Sequence, residues 1–360
     1  MKNILAPLLV LAVLVPSLAS AQDEPELEAV DGLVAPLIDK ETPGLGVLVM
    51  KDGEVIHMKG YGVADVESGK EVDADTLFDL ASLSKEMTAL AAMLQIKDGL
   101  YEEDTPISKV LPVFVETEFD GRPVNVGDLV HHLSGLTDYL SGDEDLDYGE
   151  KTTNAQVLEW LAKQEQDHPA GEKFDYSNRG YVTLGSLVAA ADEADSLSDV
   201  LHARVWDKLD MDSTELITPV HPDRVVSGYK GEGGDFEPSD DTTNVEGDGN
   251  VFTSLRDLAH YEHALSQHEL LSEEATDELF ENGSYDDGSP IKDEDGKGYA
   301  FGWTVEEADG EKYAVHTGSW KGTATYYQRN LTTGLTVIVL ANNEDAGVVP
   351  LAEAIESALN

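Results

Sequence analysis

The chain has 360 residues, with 72 acids against 23 bases, a formal net charge of −49 and no cysteine. That composition excludes disulfides, thiolate metal sites, a cysteine nucleophile and a lipoprotein-type cysteine anchor, and so acidic a chain carries no basic stripe for nucleic acid. With 41% hydrophobic residues, the length suits one large domain or two closely packed ones, held by the core alone.

Residues 1–21 differ from the rest. Met1, Lys2 and Asn3 give a short positive start, Ile4 to Leu18 is almost wholly apolar, and Ala19-Ser20-Ala21 forms a small-x-small cleavage pattern before Gln22. The run is too short for a membrane span and holds Pro7 and Pro16, so it reads as a secretory signal peptide. The expected product is secreted or periplasmic, with no later membrane-spanning segment. Loss of Lys2 would leave 72 acids against 22 bases, or −50. The acids are spread along the whole chain rather than gathered in a tail, which reads as a solvated surface suited to a saline medium. Asp143-Glu144-Asp145-Leu146-Asp147 starts like a calcium loop, but Tyr148 stands where the loop needs glycine and Asn154 where it needs glutamate.

In chain order, Pro25 to Lys40 spaces Leu27, Val30, Val34 and Leu37 as an amphipathic helix that Pro36 kinks or ends. Gly44 to Met50 and Glu54 to Tyr61 predict a hairpin about Lys51-Asp52-Gly53. Helical spacing returns from Ser82 to Leu100. Tyr101 to Thr214 reads as mostly helical with polar loops, and Gly228 to Gly298 as long surface loops around one helix near Ser254 to Ser266. Ala300 to Val305, Lys312 to Val315, Thr323 to Arg329 and Leu335 to Ala341 read as strands, the last apolar enough to be central, and Gly347 to Leu359 as a closing helix. Strands at both ends with helices between predict an α+β fold, an antiparallel sheet flanked by helices with an inserted, mainly helical domain. The expected division is 22–80 and 215–360 for the sheet domain and 81–214 for the helical one.

A hydrolytic serine needs a base within hydrogen-bond reach. Ser82-Leu83-Ser84-Lys85 supplies one if a helix starts at Ser82, because Lys85 then lies one turn on, on the same face. The helix start also directs backbone N–H groups at a developing oxyanion. Taken alone, the tetrapeptide reads first as a helix N-cap. Two further S-x-x-K matches, Ser227 to Lys230 and Ser289 to Lys292, fall in loop-like sequence. Context separates them: Tyr176-Ser177-Asn178 is the only Y-x-N and His316-Thr317-Gly318 the only H-x-G, and both follow Ser82 in the order of the serine β-lactamase motifs. Singly, Tyr176 reads as a half-buried aromatic, Asn178 as a turn residue and His316 as a strand-end polar group.

On these motifs the chain resembles the β-lactamase and penicillin-binding protein superfamily, in particular class C β-lactamases, D-alanyl-D-alanine carboxypeptidases, D-aminopeptidases and β-lactamase-like esterases. The likeness extends through Gly53 to Asp65, Phe78 to Lys85, Asp128 to Leu136, Phe174 to Tyr181 and Leu209 to Thr214. It implies Ser82 as nucleophile, and Lys85 and Tyr176 as shared base. Asn178 would hold the lysine or a substrate amide, and His316, Thr317, Gly318 and Ser319 would form the substrate-binding strand. The backbone N–H groups of Ser82 and Ser319 would make the oxyanion hole. The departure is His316, where penicillin-processing relatives usually carry lysine. A largely neutral histidine weakens recognition of a substrate carboxylate and argues against an efficient β-lactamase.

The implied reaction is acyl transfer from a small-molecule or peptide substrate to Ser82 and then to water, with no metal or organic cofactor. The first expectation is an amide or peptide bond in D-amino-acid, cell-wall-like material. Short acyl esters, weak β-lactamase action and a non-catalytic ligand-binding protein are the alternatives. His260 and His263 flank Glu262 on one helix without zinc-protease spacing, which reads as a solvated face. His131 and His132 belong to the matched Asp128–Leu136 segment, where a structural role is expected.

Overall fold

A computed structural model describes residues 24–38, 41–138, 152–240 and 243–360. The 1–21 leader and Asp143–Asp147 lie outside those residues. Helix α1 (Glu24–Val34) stops two residues before Pro36, as the proline requires. The hairpin follows as β1 (Leu45–Lys51) and β2 (Glu54–Tyr61), turning at Asp52 and Gly53, both with positive φ. Short strands β3 (Val63–Asp65), β4 (Lys70–Glu71) and β5 (Phe78–Asp79) lead to α2 (Ser84–Lys97).

Helices α3 (Val126–Val130), α4 (Asn154–Leu161), α5 (Asn178–Ala191) and α6 (Leu197–Arg204) come next, each opened by a side-chain N-cap: Asn125, Thr153, Ser177 and Ser196. Asn154, weighed above as a calcium-loop position, is thus the first residue of α4.

The stretch read as surface loops holds more order than the sequence announces. It contains β6 (Glu215–Leu216), the hairpin β7 (Tyr229–Glu232) and β8 (Asp235–Pro238), β9 (Val251–Thr253), α7 (Leu255–Ser266) and α8 (Glu273–Glu278). The closing elements are β10 (Gly298–Tyr299), β11 (Thr304–Ala308), β12 (Glu311–Trp320), β13 (Thr323–Asn330), β14 (Leu335–Ala341) and α9 (Val348–Leu359). The strand expected over Ala300 to Val305 is shifted: Ala300 to Trp303 turns between β10 and β11, with Gly302 at φ +77°.

The main sheet has seven strands in the order β10-β11-β12-β13-β14-β1-β2, so both ends of the chain meet where β14 pairs antiparallel with β1. Alternation on these two strands divides two cores. Leu45, Val47 and Val49 of β1 and Val337 and Val339 of β14 face Val30 and Val34 of α1 and Leu351 and Ile355 of α9. Leu48, Met50, Ile338 and Leu340 face the opposite side, in one cluster with Leu255 and Leu258 of α7 and with α2 and α5. Burial on both faces explains why these strands read as unbroken apolar runs. On the α7 side the sheet also buries an ion pair, Arg329 Nε to Glu262 Oε2 at 2.9 Å, and Ser266, Tyr327 and Thr336 hydroxyls donate to the same carboxylate.

Candidate active site

The chain reaches Ser82 through a strained turn. After β5 pairs with β9, Leu80 N–H donates to Val251 O at 2.9 Å, and Ala81 takes φ +47°. That left-handed conformation costs an alanine about 1 kcal/mol and persists only where neighbours enforce it. Here Ala81 N–H donates to Asp79 Oδ1 at 2.8 Å, while the Thr323 and Thr325 hydroxyls of β13 donate to the carbonyls of Asp79 and Leu80 at 3.0 and 2.9 Å. A single 3₁₀ turn, Ala81–Leu83, carries Ser82, and the regular helix begins at Ser84 rather than at Ser82. Gly318 of β12 lies against this turn. A Cβ there would sit 2.1 Å from Thr325 Oγ1 and 2.3 Å from Leu80 O, which accounts for the glycine of H-T-G.

Lys85 is fully buried, and its ammonium spends three N–H groups on three acceptors: Ser82 Oγ at 3.1 Å, Asn178 Oδ1 at 2.9 Å and Asp248 O at 2.7 Å. The last comes from a loop laced to α2, since Ser84 Oγ accepts Val251 N–H at 3.1 Å and Thr88 Oγ1 donates to Gly247 O at 2.8 Å.

Tyr176 and Asn178 arrive at the start of α5. The half-buried Tyr176 ring has Lys85 Nζ 5.1 Å from its centroid and the His132 ring at 4.2 Å. His132 is buried among Phe174, Tyr176, Tyr181 and Tyr299. Burial, and then the Lys85 charge, hold it well below the usual histidine range. Its Nδ1 accepts Ser177 N–H at 3.0 Å, so the neutral ring carries its proton on Nε2.

His316 is buried as well. Burial first and the Lys85 charge second bring its pKa down to about 4. Nδ1–H donates to Thr317 O at 2.7 Å, which leaves Nε2 to accept from Tyr299 Oη at 3.1 Å. Thr317 and Ser319 are exposed on the same strand. Because β11 pairs with β12 only as far as Val315, residues 316–320 carry no strand pairing on that edge among the described residues.

A cleft of about 170 Å³ is lined by Ser82, Tyr176, Asn178 and Ser319, and also by Asp79, Asp248 and Trp320. Burial, and then the neighbouring Asp248 carboxylate, push Asp79 up to about 6. The structure therefore brings Ser82, Lys85, Tyr176, Asn178 and the His316–Ser319 strand together. It adds Asp79, Asp248, Tyr299 and Trp320, which none of the three motifs marks. The glycines of Gly247-Asp248-Gly249 are the sequence signal for this loop.

His131 supports the site from behind, with Nδ1 on Tyr299 O at 3.2 Å and its ring edge on Phe301. On α7, His260 and His263 contact separate carbonyls, Leu209 O and Gly53 O, each at 2.9 Å, while Glu262 between them turns inward to Arg329.

With this geometry established, the family follows. The model of the Beta-lactamase family matches residues 29–359, and the chain belongs to that family. Its homologues of this fold are serine hydrolases, and this chain is an enzyme of that class. It is 26% identical over 318 residues to penicillin-binding protein 4* of Bacillus subtilis (strain 168), covering 83% of this chain and 68% of that one. A D-aminopeptidase of Cereibacter sphaeroides is 24% identical over 322 residues, covering 88% of this chain and 60% of its own length. The chain thus spans only about three fifths to two thirds of these relatives. Among solved structures it resembles EstCE1, a hydrolase with promiscuous acyltransferase activity, at a TM-score of 0.78 and 22% identity over 93% of this chain and 98% of that one. No helix among the described residues is long and apolar enough to cross a membrane.

Proposed function

We propose that the protein is a two-step acyl-transfer hydrolase in which Ser82 is acylated, Lys85 and Tyr176 share the proton transfers, and water releases the acyl group. The observation that carries this is the placement of Lys85 Nζ between Ser82 Oγ and Asn178 Oδ1. Once it has shed a proton, the neutral amine of a buried lysine there is within reach of the serine hydroxyl and can take its proton. The free edge of β12 supports Ser319 N–H, with Ser82 N–H, as the oxyanion hole.

The leading substrates are amides or peptides of D-amino-acid, cell-wall-like material, with short acyl esters second. A neutral His316 and two carboxylates along the cleft, Asp79 and Asp248, favour substrates without a carboxylate near the scissile bond. The D-aminopeptidase relative supports the first class and the EstCE1 likeness the second. The N-terminal sequence and the charge of −49 support an exported protein working in salt.

The test is intact-mass spectrometry of wild type and Ser82→Ala in molar salt, after a fluorophosphonate, nitrocefin, a p-nitrophenyl ester or a D-alanine p-nitroanilide. Adducts or turnover lost in Ser82→Ala are expected, with ester or anilide preferred over nitrocefin. Folded wild type that reacts with none of the four overturns the reading in favour of ligand binding alone.

A further inference from the structure

Asn178 Oδ1 faces a donor, Lys85 Nζ at 2.9 Å, and its Nδ2 faces an acceptor, Asp138 Oδ2 at 3.2 Å. The two ends of an amide have nearly the same shape, and only its neighbours decide which way it points. Here both neighbours demand the same orientation. The other Asp138 oxygen, Oδ1, accepts Arg179 N–H at 3.0 Å, satisfying one of the orphan donors in the first turn of α5. Asp138 is therefore braced on the helix start by one oxygen and turned to the Asn178 amide by the other. Asn178 is itself buried.

We infer that Asp138 is a positioning residue for acyl transfer: it locks the Asn178 amide with its oxygen toward Lys85, which holds the lysine on Ser82. This rests on the hydrolase reading above. Asp138 lies two residues past the matched segment Asp128 to Leu136, and nothing in the motif logic of S-x-x-K, Y-x-N and H-x-G calls for it. With an amide at position 138, an NH₂ would meet the NH₂ of Asn178. Asn178 would then turn over and present a donor to the ammonium, and Lys85 would lose one of its three acceptors.

The experiment measures p-nitrophenyl acetate hydrolysis in molar salt by wild type, Ser82→Ala, Asp138→Asn, Asn178→Asp and the exchange Asn178→Asp/Asp138→Asn. Asp138→Asn keeps a carbonyl for Arg179 N–H, so the melting temperature should hold within a few degrees. Its kcat should fall about 10- to 100-fold with KM nearly unchanged. In the exchange variant, the carboxylate at 178 accepts from Lys85 and the amide at 138 donates to it, so kcat should recover about tenfold or more over Asn178→Asp alone. The exchange also serves if Asp138→Asn folds poorly. Ser82-dependent turnover with Asp138→Asn at the wild-type kcat, or with no recovery in the exchange, overturns this proposal alone. Turnover that survives Ser82→Ala overturns the hydrolase reading and this proposal with it.

Discussion

Lys85 Nζ donates to the backbone carbonyl of Asp248 at 2.7 Å, across 163 residues of sequence. The bond means that the lysine is held in part by a loop outside every recognised motif. That loop is in turn held by two hydroxyls of the first turns of α2, those of Ser84 and Thr88. Position and chemistry can therefore be uncoupled without touching Ser82, Lys85 or Tyr176. Ser84→Ala/Thr88→Val should lower kcat on an ester about tenfold and cost about 1–3 kcal/mol, since Val251 N–H and Gly247 O are left unpaired. Denaturant titration and steady-state kinetics read both effects. Wild-type kcat in this variant would show that the loop keeps its place without these bonds.

Gly318 gives a steric prediction. Its α-carbon side is closed by Thr325 Oγ1 and Leu80 O, the second a backbone atom of the turn before Ser82. Gly318→Ala must push that turn or the strand, so a stability loss of about 1–3 kcal/mol is expected, with a kcat drop of at least about tenfold. Gly318→Ala/Thr325→Ser tests the cause. It leaves the hydroxyl and the Leu80 carbonyl in place, so it should not restore activity, and an active double variant would mean that the threonine methyl alone set the limit.

Much of the fold could be read from the sequence because its signals are local. Turn residues, unbroken apolar runs and helical spacing marked the β1–β2 hairpin, β14, α7 and α9 to within a residue or so. The candidate site was legible where the proposed role belongs to a residue's own side chain in a spaced motif, as for Ser82, Lys85, Tyr176 and Asn178. Asp248 was not, because Lys85 uses its carbonyl, which any residue would supply. Tyr299 and Asp138 were missed for a related reason. Each acts on another site residue, His316 or Asn178, across a sequence separation that no local pattern encodes. Short strands such as β5 and β9 owe their existence to pairing with each other rather than to their own composition.

His316 predicts a pH effect with a definite sign. Its pKa is about 4 in the folded protein against an ordinary 6.5. Between those values the unfolded chain binds the extra proton, so this group's contribution is complete above pH 6.5 and is lost as pH falls toward 4. The full loss is about 3 kcal/mol. Asp79 acts oppositely: its pKa is raised from 3.8 to about 6, so its contribution is present at low pH and lost as pH rises through that window. His316→Gln should therefore lose less stability than wild type between pH 6.5 and 4.5, and Asp79→Asn should lose more. Thermal melts across that range decide it. Parallel curves for wild type and His316→Gln would mean that burial does not lower the pKa of this ring.

The charge of −49 makes the last prediction. Few of the carboxylates have cationic partners, since the chain holds 23 bases for 72 acids, and several of those bases are already taken up in pairs such as Arg204 with Asp98 and Asp192. The remaining acids repel one another over distances that dilute buffer does not screen. The screening length is about 10 Å at 0.1 M salt and about 3 Å at 1 M. Folding brings the acids together, so added salt should relieve the folded state more than the unfolded one. Melting temperature and ester turnover are expected to climb from 20 mM to about 1 M salt and then flatten, because screening is by then shorter than the spacing of the charges. Potassium chloride and sodium chloride should act alike if screening is the cause. A melting temperature independent of salt would mean that the acidic surface costs the fold nothing, and the saline reading would fall with it.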